Sequence, residues 1–268
     1  MNKVLFISGA SRGIGRAIAH RFAREKACIA IAAKTTTPHP KLEGTIYSVA
    51  EEVERLGGQA LPLVVDVRDE EQIEGAIKET VSRFGRLDVL INNASAINLT
   101  DTLSTTMKRY DLMQEVNARA TFACSKAAIP YLKQSNNPHI LTLSPPLSLD
   151  KKWYAAHLAY TLSKMGMSLC TLGLAEEFKQ AGIAVNSLWP KTTIATAAIE
   201  VHFPEAIYKA SRKPAIVADA AYWIVNQPAR ETTGHFFIDE DVLRQSGIQD
   251  FSVYAIDPSQ QPYPDLFL

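Results

Sequence analysis

Short apolar runs alternate with helical patterns along almost the whole chain. Each run has the length of a strand, and each intervening stretch carries apolar residues at helical spacing. Strands are predicted at 3–8, 28–33, 60–65, 87–91, 139–143, 183–188 and 235–238, and helices at 46–56, 70–84, 103–132, 156–180 and 217–226. Because a helix between successive strands serves as a crossover, this pattern predicts an α/β fold. Its seven-stranded parallel sheet is covered by helices on both faces.

Two segments interrupt the alternation. Residues 35–45 contain Pro38 and Pro40, and the stretch from Glu240 onward is rich in Pro and Gln near its end. Both exceed the length of ordinary connections and are therefore candidates for functional or interface loops. No linker or internal repeat is evident, so we expect one domain over 1–268 with an extended C-terminal tail at 240–268.

The first strand leads directly into a glycine-rich turn, Gly9-Ala10-Ser11-Arg12-Gly13-Ile14-Gly15, and then into an amphipathic helix. Gly9 permits the tight turn, Gly13 removes a Cβ that would block a pyrophosphate, and Gly15 lets the helix pack close to the strand. The N–H groups at the helix start then face the phosphates. This context predicts a doubly wound Rossmann fold with a dinucleotide site. A glycine turn that only joins two elements is the alternative.

The end of the second strand bears on the choice of dinucleotide. An acidic residue about 20 positions beyond the glycine motif would bind the ribose 2′-OH of NAD, whereas basic groups there favour a 2′-phosphate. This chain has Ala33-Lys34-Thr35 at that place, without a carboxylate. Lys34 and Arg12 therefore predict NADP(H), unless both are simply surface cations. Asp66, which closes the third strand, is predicted to accept from the adenine amino group, to cap the following helix, or both.

Tyr160 and Lys164 stand four residues apart in a predicted helix, which places both side chains on one face. A phenol has an unperturbed pKa of about 10, and an ammonium within ~4–6 Å lowers it. Because general acid/base catalysis works best with a pKa near the operating pH, this pair is a candidate catalytic unit. A solvated pair on an exposed helix face is the alternative.

Composition excludes several classes of function. The 268 residues are 47% apolar, with a formal net charge of zero, and there is no basic stripe, so no nucleic-acid partner is expected. No apolar run approaches the ~18 residues of a membrane span, and the N-terminus enters a strand, so a cytoplasmic location is expected. Cys28, Cys124 and Cys170 are predicted to be reduced, buried thiols, and no metal site is predicted.

Taken together, these motifs resemble the short-chain dehydrogenase/reductase family over nearly the whole chain. The matching positions are Gly9, Gly13, Gly15, Asp66, the run Asn92-Asn93-Ala94, Asn117, Tyr160 and Lys164. The resemblance implies hydride transfer between a nicotinamide cofactor and an alcohol or carbonyl group. It implies that Tyr160 is the general acid/base, that Lys164 lowers its pKa and holds the nicotinamide ribose, and that Asn117 belongs to a proton-relay water site.

The resemblance also defines a predicted cofactor site. Its members are Gly9, Ser11, Arg12, Gly13, Ile14, Gly15, Lys34, Asp66, Val67, Asn93, Ala94, Tyr160, Lys164, Pro190 and Thr192. More narrowly, the runs at 32–35, 39–42, 143–147, 188–192 and 257–258 are similar to the hydroxysteroid dehydrogenase-like protein 2 subgroup. Members of that subgroup can carry a sterol-carrier domain after the reductase, and none is expected within these 268 residues.

The chain also departs from the family pattern. The family usually ends its fifth strand with two serines, of which the second binds the substrate oxygen, whereas this chain has Ser144-Pro145. Ser148 is predicted, slightly ahead of Ser144, to supply the missing donor, and the alternative is that neither contacts substrate. Ser95 and Lys191 replace glycines. Near Lys191, hydroxyl groups remain at Thr192, Thr193 and Thr196.

These expectations combine into a functional hypothesis. The protein is predicted to be an NADP-dependent carbonyl reductase or alcohol dehydrogenase that forms a homodimer or homotetramer. An NADP-binding sensor or scaffold with little turnover is the alternative, suggested by Pro145. An enoyl reductase is disfavoured because such proteins separate their Tyr and Lys by more than one helical turn. An apolar substrate pocket is predicted from Trp153, Tyr154, His157, Trp189, Ile194 and Phe203.

Overall fold

The computed structural model describes residues 2–40 and 42–268 and contains one seven-stranded sheet. Lys41, part of the run at 39–42 that carried the subgroup resemblance, lies outside the described residues. The strands are β1 Val4–Ser8, β2 Cys28–Ala33, β3 Gln59–Val64, β4 Val89–Asn92, β5 His139–Thr142, β6 Ala184–Trp189 and β7 Phe236–Ile238. Their order in the sheet is β3-β2-β1-β4-β5-β6-β7, and every neighbouring pair is parallel. The predicted doubly wound Rossmann fold is confirmed.

Helices connect the strands on both faces of the sheet. They are α1 Gly13–Ala23, α2 Ile46–Arg55, α3 Glu70–Phe84, α4 Met107–Met113, α5 Ala120–Leu132, α6 Lys151–Ala155, α7 Leu158–Glu177, α8 Ala197–His202, α9 Glu205–Lys209, α10 Ala215–Val225 and α11 Asp239–Gln245. A π-helical segment, Gln114–Arg119, joins α4 to α5. Among the described residues, no helix combines the length and apolar character that crossing a membrane requires.

The interior strand β1 is buried on both faces, and its alternating side chains pack into two separate cores. Leu5 and Ile7 pack into a core that includes Phe22 of α1 and Ile224 of α10. Phe6 points to the opposite core, which is built with residues of α3, α5 and α7. The strand order reverses between β1 and β4, and the carboxyl ends of these parallel neighbours frame the crevice where such sheets bind ligands.

Several helix boundaries differ from the sequence predictions. The helix predicted at 103–132 begins only at Met107, because the Thr106 side chain caps it by accepting from Arg109 N–H. The helix predicted at 156–180 is shorter in the structure, where α7 runs from Leu158 to Glu177. The separate helix α6 precedes it and was not predicted. Helices α8, α9 and α11 were not predicted, and α11 occupies part of the segment predicted to be an extended tail.

The three cysteines are free, as predicted, but only Cys124 is buried. Cys28 and Cys170 are half-buried. Burial raises the pKa of the Cys124 thiol to about 12 and raises the pKa of the other two thiols as well. All three are therefore protonated, weakly reactive thiols at neutral pH.

Candidate active site

The glycine turn after β1 has the geometry of an anion cradle. Gly9 and Gly13 adopt the left-handed backbone region, with φ values of 67° and 56°. A Cβ on Gly15 would lie 2.6 Å from Asn93 Nδ2 and 2.7 Å from the Gly9 carbonyl oxygen, so only glycine fits there. No side chain caps the start of α1, where Arg12 is the N-cap residue. Its first N–H groups are therefore available to an anionic ligand.

Hydrogen bonds fasten this turn to the end of β4. Ser8 Oγ accepts from the backbone N–H groups of Asn93 and Ala94, each at 3.1 Å. Asn93 Nδ2 donates to the carbonyl oxygens of Ser8 and Gly9 at 2.9 and 3.0 Å. Asn93 and Ala94 therefore shape the cradle. Ser8 was not predicted to be a site residue, although its hydroxyl stands at the end of β1, directly before the glycine turn.

A cavity of about 1010 Å³ opens at the carboxyl ends of the strands. This volume lies at the upper end of the ~300–1,000 Å³ range of ligand pockets. Predicted site residues that line it are Arg12, Gly13, Ile14, Asn93, Tyr160, Lys164, Trp189, Pro190, Ile194 and Phe203. Ser95, Leu143, Thr196, Asp265 and Leu266 line it as well. The cavity therefore joins the glycine turn to the Tyr160–Lys164 pair.

Tyr160 and Lys164 lie on α7 and are both buried, so the alternative of an exposed, solvated pair is wrong. Lys164 Nζ donates to the Leu143 carbonyl oxygen at 2.7 Å, contacts Met167 Sδ at 3.2 Å and lies 5.0 Å from the centroid of the Trp189 ring. Burial lowers the pKa of the Lys164 ammonium to about 7, against the opposing effect of the Asp265 carboxylate.

The pKa of the Tyr160 phenol is raised, chiefly by burial and further by the Asp265 carboxylate. Lys164 was predicted to lower this pKa. That prediction is wrong, because the cost of removing the phenolate from water dominates and the Lys164 ammonium donates to the Leu143 carbonyl oxygen instead. Tyr160 is therefore a protonated phenol at neutral pH.

Asn117 lies in the π-helical segment, a type of irregularity that often marks functional sites. Its Oδ1 accepts from Ala96 N–H at 2.8 Å, and its Nδ2 donates to the Ala96 carbonyl oxygen at 2.9 Å and to Ser163 Oγ at 2.8 Å. Asn117 therefore ties the loop after β4 to the residue that precedes Lys164.

Neither predicted substitute for the missing serine reaches the cavity. Ser144 is fully buried, and its hydroxyl lies 2.8 Å from that of Ser187 on β6. Ser148 Oγ accepts from Asp150 N–H at 3.2 Å in the turn before α6. Both hydroxyls are therefore in structural contacts, and neither residue lines the cavity. Pro145, next to Ser144, is also buried and accepts from Ser168 through its carbonyl oxygen.

On the adenosine side, Asp66 forms a bidentate ion pair with Arg68. The Arg68 hydrogen bonds lower the pKa of the Asp66 carboxyl to about 2, and the charge of Lys34 contributes to the shift. The alternative role of Asp66 as helix cap is wrong, because Asp69 caps α3. Lys34 is exposed, and Arg12 Nη2 donates to the Gly44 carbonyl oxygen at 3.2 Å, in the segment predicted at 35–45.

The three threonines after β6, of which Thr192 was predicted to bind the cofactor, have different surroundings in the structure. Thr192 is buried and forms a bridge with Pro264, whereas the Thr193 hydroxyl lies 2.7 Å from that of Ser211. Thr196 lines the cavity and lies closest to Gly13, where an added Cβ would be 3.4 Å from Thr196 Cγ2. Thr196, rather than Thr192, therefore faces the glycine turn.

The C-terminal tail crosses the end of β6 and enters the site. Thr193 N–H donates to the Tyr263 carbonyl oxygen at 2.9 Å, Asp265 N–H donates to the Lys191 carbonyl oxygen at 3.1 Å, and Trp189 Nε1 donates to the Leu266 carbonyl oxygen at 2.8 Å. These bonds hold the tail against the backbone that lines the cavity.

Phe267, the residue that the tail buries, stands at the centre of an aromatic cluster. Its ring centroid lies 5.5 Å from that of Trp153, 5.8 Å from Trp189, 6.2 Å from Tyr160 and 6.4 Å from His157. Among the residues predicted for an apolar pocket, Trp189, Ile194 and Phe203 line the cavity. Trp153 and His157 pack against Phe267 instead, and the Tyr154 hydroxyl donates to the Ser148 carbonyl oxygen.

Comparison with known proteins agrees with this geometry. The family model of the short chain dehydrogenases matches residues 3–203. The chain belongs to that family.

Individual relatives support the subgroup resemblance as well. Hydroxysteroid dehydrogenase-like protein 2 of Danio rerio is 56% identical over 264 residues, which cover 98% of this chain and 63% of the relative. This chain therefore spans less than two thirds of that relative's length. A protein from Xanthomonas campestris assigned as a dehydrogenase has a crystal structure with 54% identity and a TM-score of 0.96, covering 99% of this chain and 97% of that one. A short chain dehydrogenase from Mycobacterium thermoresistibile has 50% identity and a TM-score of 0.94, with 99% and 95% covered.

Proposed function

We propose that this protein is an NADP-dependent oxidoreductase that transfers a hydride between NADPH and a carbonyl or alcohol substrate. One observation carries the proposal. The buried Tyr160–Lys164 pair lines the same cavity as the uncapped start of α1, so an anion cradle and an acid/base pair open into one space.

The residues of the cavity fit a dinucleotide. The glycine turn and the N–H groups of α1 suit the pyrophosphate, with Thr196 beside them. Arg12 in the cavity lining, together with Lys34 exposed at the end of β2, supplies positive charge for a 2′-phosphate. When bound, the nicotinamide supplies or accepts the hydride. The nicotinamide end is assigned to the part of the cavity lined by Tyr160 and Pro190.

In this proposal Tyr160 moves the proton. Its raised pKa keeps the phenol protonated, which is the form required to donate a proton to a carbonyl oxygen during reduction. Lys164 has a pKa of about 7, so its ammonium form is available near neutral pH to stabilise the phenolate that remains. Asn117 positions the pair through Ser163.

The test is NADPH oxidation with a panel of ketones, aldehydes and acyl-thioester carbonyls. Tyr160→Phe should lower turnover by about 10²- to 10⁴-fold, which is the usual contribution of general acid/base catalysis to the rate. The dissociation constant for NADPH should stay within about threefold, because only the hydroxyl is lost. Tyr154→Phe is the matched control, since that hydroxyl bonds the Ser148 carbonyl oxygen outside the cavity and should leave turnover unchanged.

Two results would contradict this assignment. Turnover by Tyr160→Phe within threefold of the parent would remove Tyr160 from the mechanism. Tight NADPH binding without turnover of any carbonyl would favour the sensor or scaffold function instead. The cytoplasmic location stays a prediction.

We also propose that two copies of the chain associate through α5 and α7. Phe122 on α5 and Leu162, Leu169 and Leu172 on α7 are exposed apolar side chains. Clustered exposure of this kind is typical of protein interfaces. In light scattering, Leu169→Glu should shift a dimer or tetramer towards monomer, and a parent protein that is monomeric at micromolar concentration would contradict the proposal.

A further inference from the structure

Asp265 is a carboxylic acid residue in the catalytic cavity that the folded tail supplies. It lines the cavity together with Tyr160 and Lys164. Its backbone is fixed by the hydrogen bond to the Lys191 carbonyl oxygen, and its Oδ1 accepts from Leu266 N–H at 2.7 Å. The carboxyl group is therefore held in one orientation, within a tail that also binds Trp189.

The charged groups that act on Asp265 are Lys164 and Asp239. Burial and the Asp239 carboxylate raise the pKa of Asp265 to about 7, whereas the Leu266 N–H and the Lys164 ammonium oppose the rise. The cavity lining also carries the cations Arg12, Arg16 and Lys213 and the carboxylates Glu43 and Glu200. Asp265 is the carboxyl group whose charge acts on both Lys164 and Tyr160. It offsets the Lys164 charge there, and when ionised it repels an acidic substrate.

We propose that Asp265 determines substrate specificity: it admits uncharged or cationic carbonyl compounds that carry a hydroxyl or N–H donor near the reacting carbon, and it excludes keto acids. This inference rests on the proposed function, because it requires the substrate carbonyl to lie at Tyr160. The Asp265 carboxylate accepts from the donor, and Phe267 in the same tail packs directly against Tyr160. The polar and the apolar parts of substrate recognition then come from one segment.

The size of the effect follows from electrostatics. At an effective dielectric constant of about 20, a like charge about 10 Å away changes a binding constant by roughly tenfold. Because the Asp265 pKa is about 7, the full effect requires a pH above that value. At pH 8.5, where the carboxyl group is almost fully ionised, removal of its charge should let an acid gain about tenfold relative to a neutral analogue of the same shape.

The experiment compares two pairs of substrates. The first is acetoacetate against methyl acetoacetate, and the second is 4-hydroxy-2-butanone against 2-butanone. In the parent, kcat/KM should favour the ester and the hydroxyketone. At pH 8.5, Asp265→Asn keeps the acceptor for Leu266 N–H and should lower the ester-to-acid ratio by about tenfold. Asp257→Asn is the control, since that exposed carboxylate in the same tail bonds Ser259 and should leave both ratios unchanged.

Distinct outcomes separate this inference from the proposed function. An ester-to-acid ratio that stays within threefold in Asp265→Asn would overturn the inference even if the parent is an active reductase. A changed NADPH dissociation constant with unchanged substrate ratios would assign Asp265 to the cofactor and overturn it too. If no compound is turned over, the proposed function fails, and the dissociation constants of acetoacetate and its ester for the NADP⁺-loaded protein test the inference. Asp265→Asn should then tighten acetoacetate relative to the ester by about tenfold at pH 8.5, and an unchanged ratio of the two dissociation constants would overturn the inference.

Discussion

The crossing of α7 over the π-helical segment should tolerate no additional methyl group. Gly166, two residues after Lys164, faces Ala118 of that segment. A Cβ at position 166 would lie 2.7 Å from Ala118 Cβ. A methyl group attached directly to the backbone cannot rotate away, so the helix itself must move.

The magnitude of the Gly166→Ala effect follows from two opposing terms. Overpacking of a tight contact costs about 1–3 kcal/mol of unfolding free energy. Replacing glycine by alanine inside a helix gains about 1 kcal/mol. Gly75→Ala on α3 is the matched control, because a Cβ there meets nothing within 4 Å. The helix-propensity gain cancels between the two variants, so the difference isolates the clash.

Thermal denaturation measures this difference. At about 2–4 °C per kcal/mol, Gly166→Ala should melt about 2–12 °C below Gly75→Ala, and Gly75→Ala should melt above the parent. The displaced α7 also carries Tyr160 and Lys164, so turnover should fall more than NADPH affinity in Gly166→Ala. Equal melting temperatures for the two alanine variants would refute the proposed steric contact at Gly166.

The remaining predictions concern single side chains. Lys34→Asp should lower the preference for NADPH over NADH by about tenfold, less so at high salt, in fluorescence titrations; a parent that binds both equally would contradict the NADP assignment. Ser144→Ala and Ser148→Ala should each keep turnover within about threefold of the parent. Ser144→Ala should also lower the free energy of unfolding by about 1 kcal/mol. A hundredfold loss of turnover in either variant would show that the hydroxyl takes part in catalysis. The Asp66–Arg68 pair, with the Asp66 pKa lowered to about 2, should stabilise the fold above pH ~4 and lose that effect as the pH falls through 2. The gap in unfolding free energy between parent and Asp66→Asn should narrow over that window, and a constant gap would contradict this linkage.

The regular elements of the core could be predicted from the sequence because their patterns are long and local. The bounds predicted for β2 and α3 agree with the structure, and the other predicted strands are shifted by at most two residues. Helices α6, α8, α9 and α11 were missed because each has only five to seven residues. A helix this short shows little periodicity and depends on tertiary packing for its stability.

Prediction of the site succeeded where the geometry is set by neighbouring residues and failed where it is set by distant ones. The glycine turn and the Tyr160–Lys164 pair are local motifs, and the structure brings them to one cavity. Asp265 and Phe267 reach that cavity through contacts such as the Trp189–Leu266 bond, which joins residues 77 positions apart. Nothing in the local sequence of the tail gives that partner.

The tail also accounts for the replacement of the family glycine by Lys191. The Lys191 N–H donates to Asp239 Oδ1 at 2.9 Å, and its carbonyl oxygen accepts from Asp265 N–H, so the backbone at this point is held from both sides. Its φ is not in the left-handed region, and its ammonium pairs with the buried Glu240 at 3.3 Å. The Lys191 side chain therefore fits at the position of the family glycine, because its ion pair with Glu240 directs it away from the cavity. Since the next residue towards the N-terminus is Pro190 in the cavity wall, the contacts that anchor Asp265 also fix part of the proposed cofactor site. Substrate choice and cofactor placement thus depend on one short stretch of backbone, which is why the Asp265 test measures both.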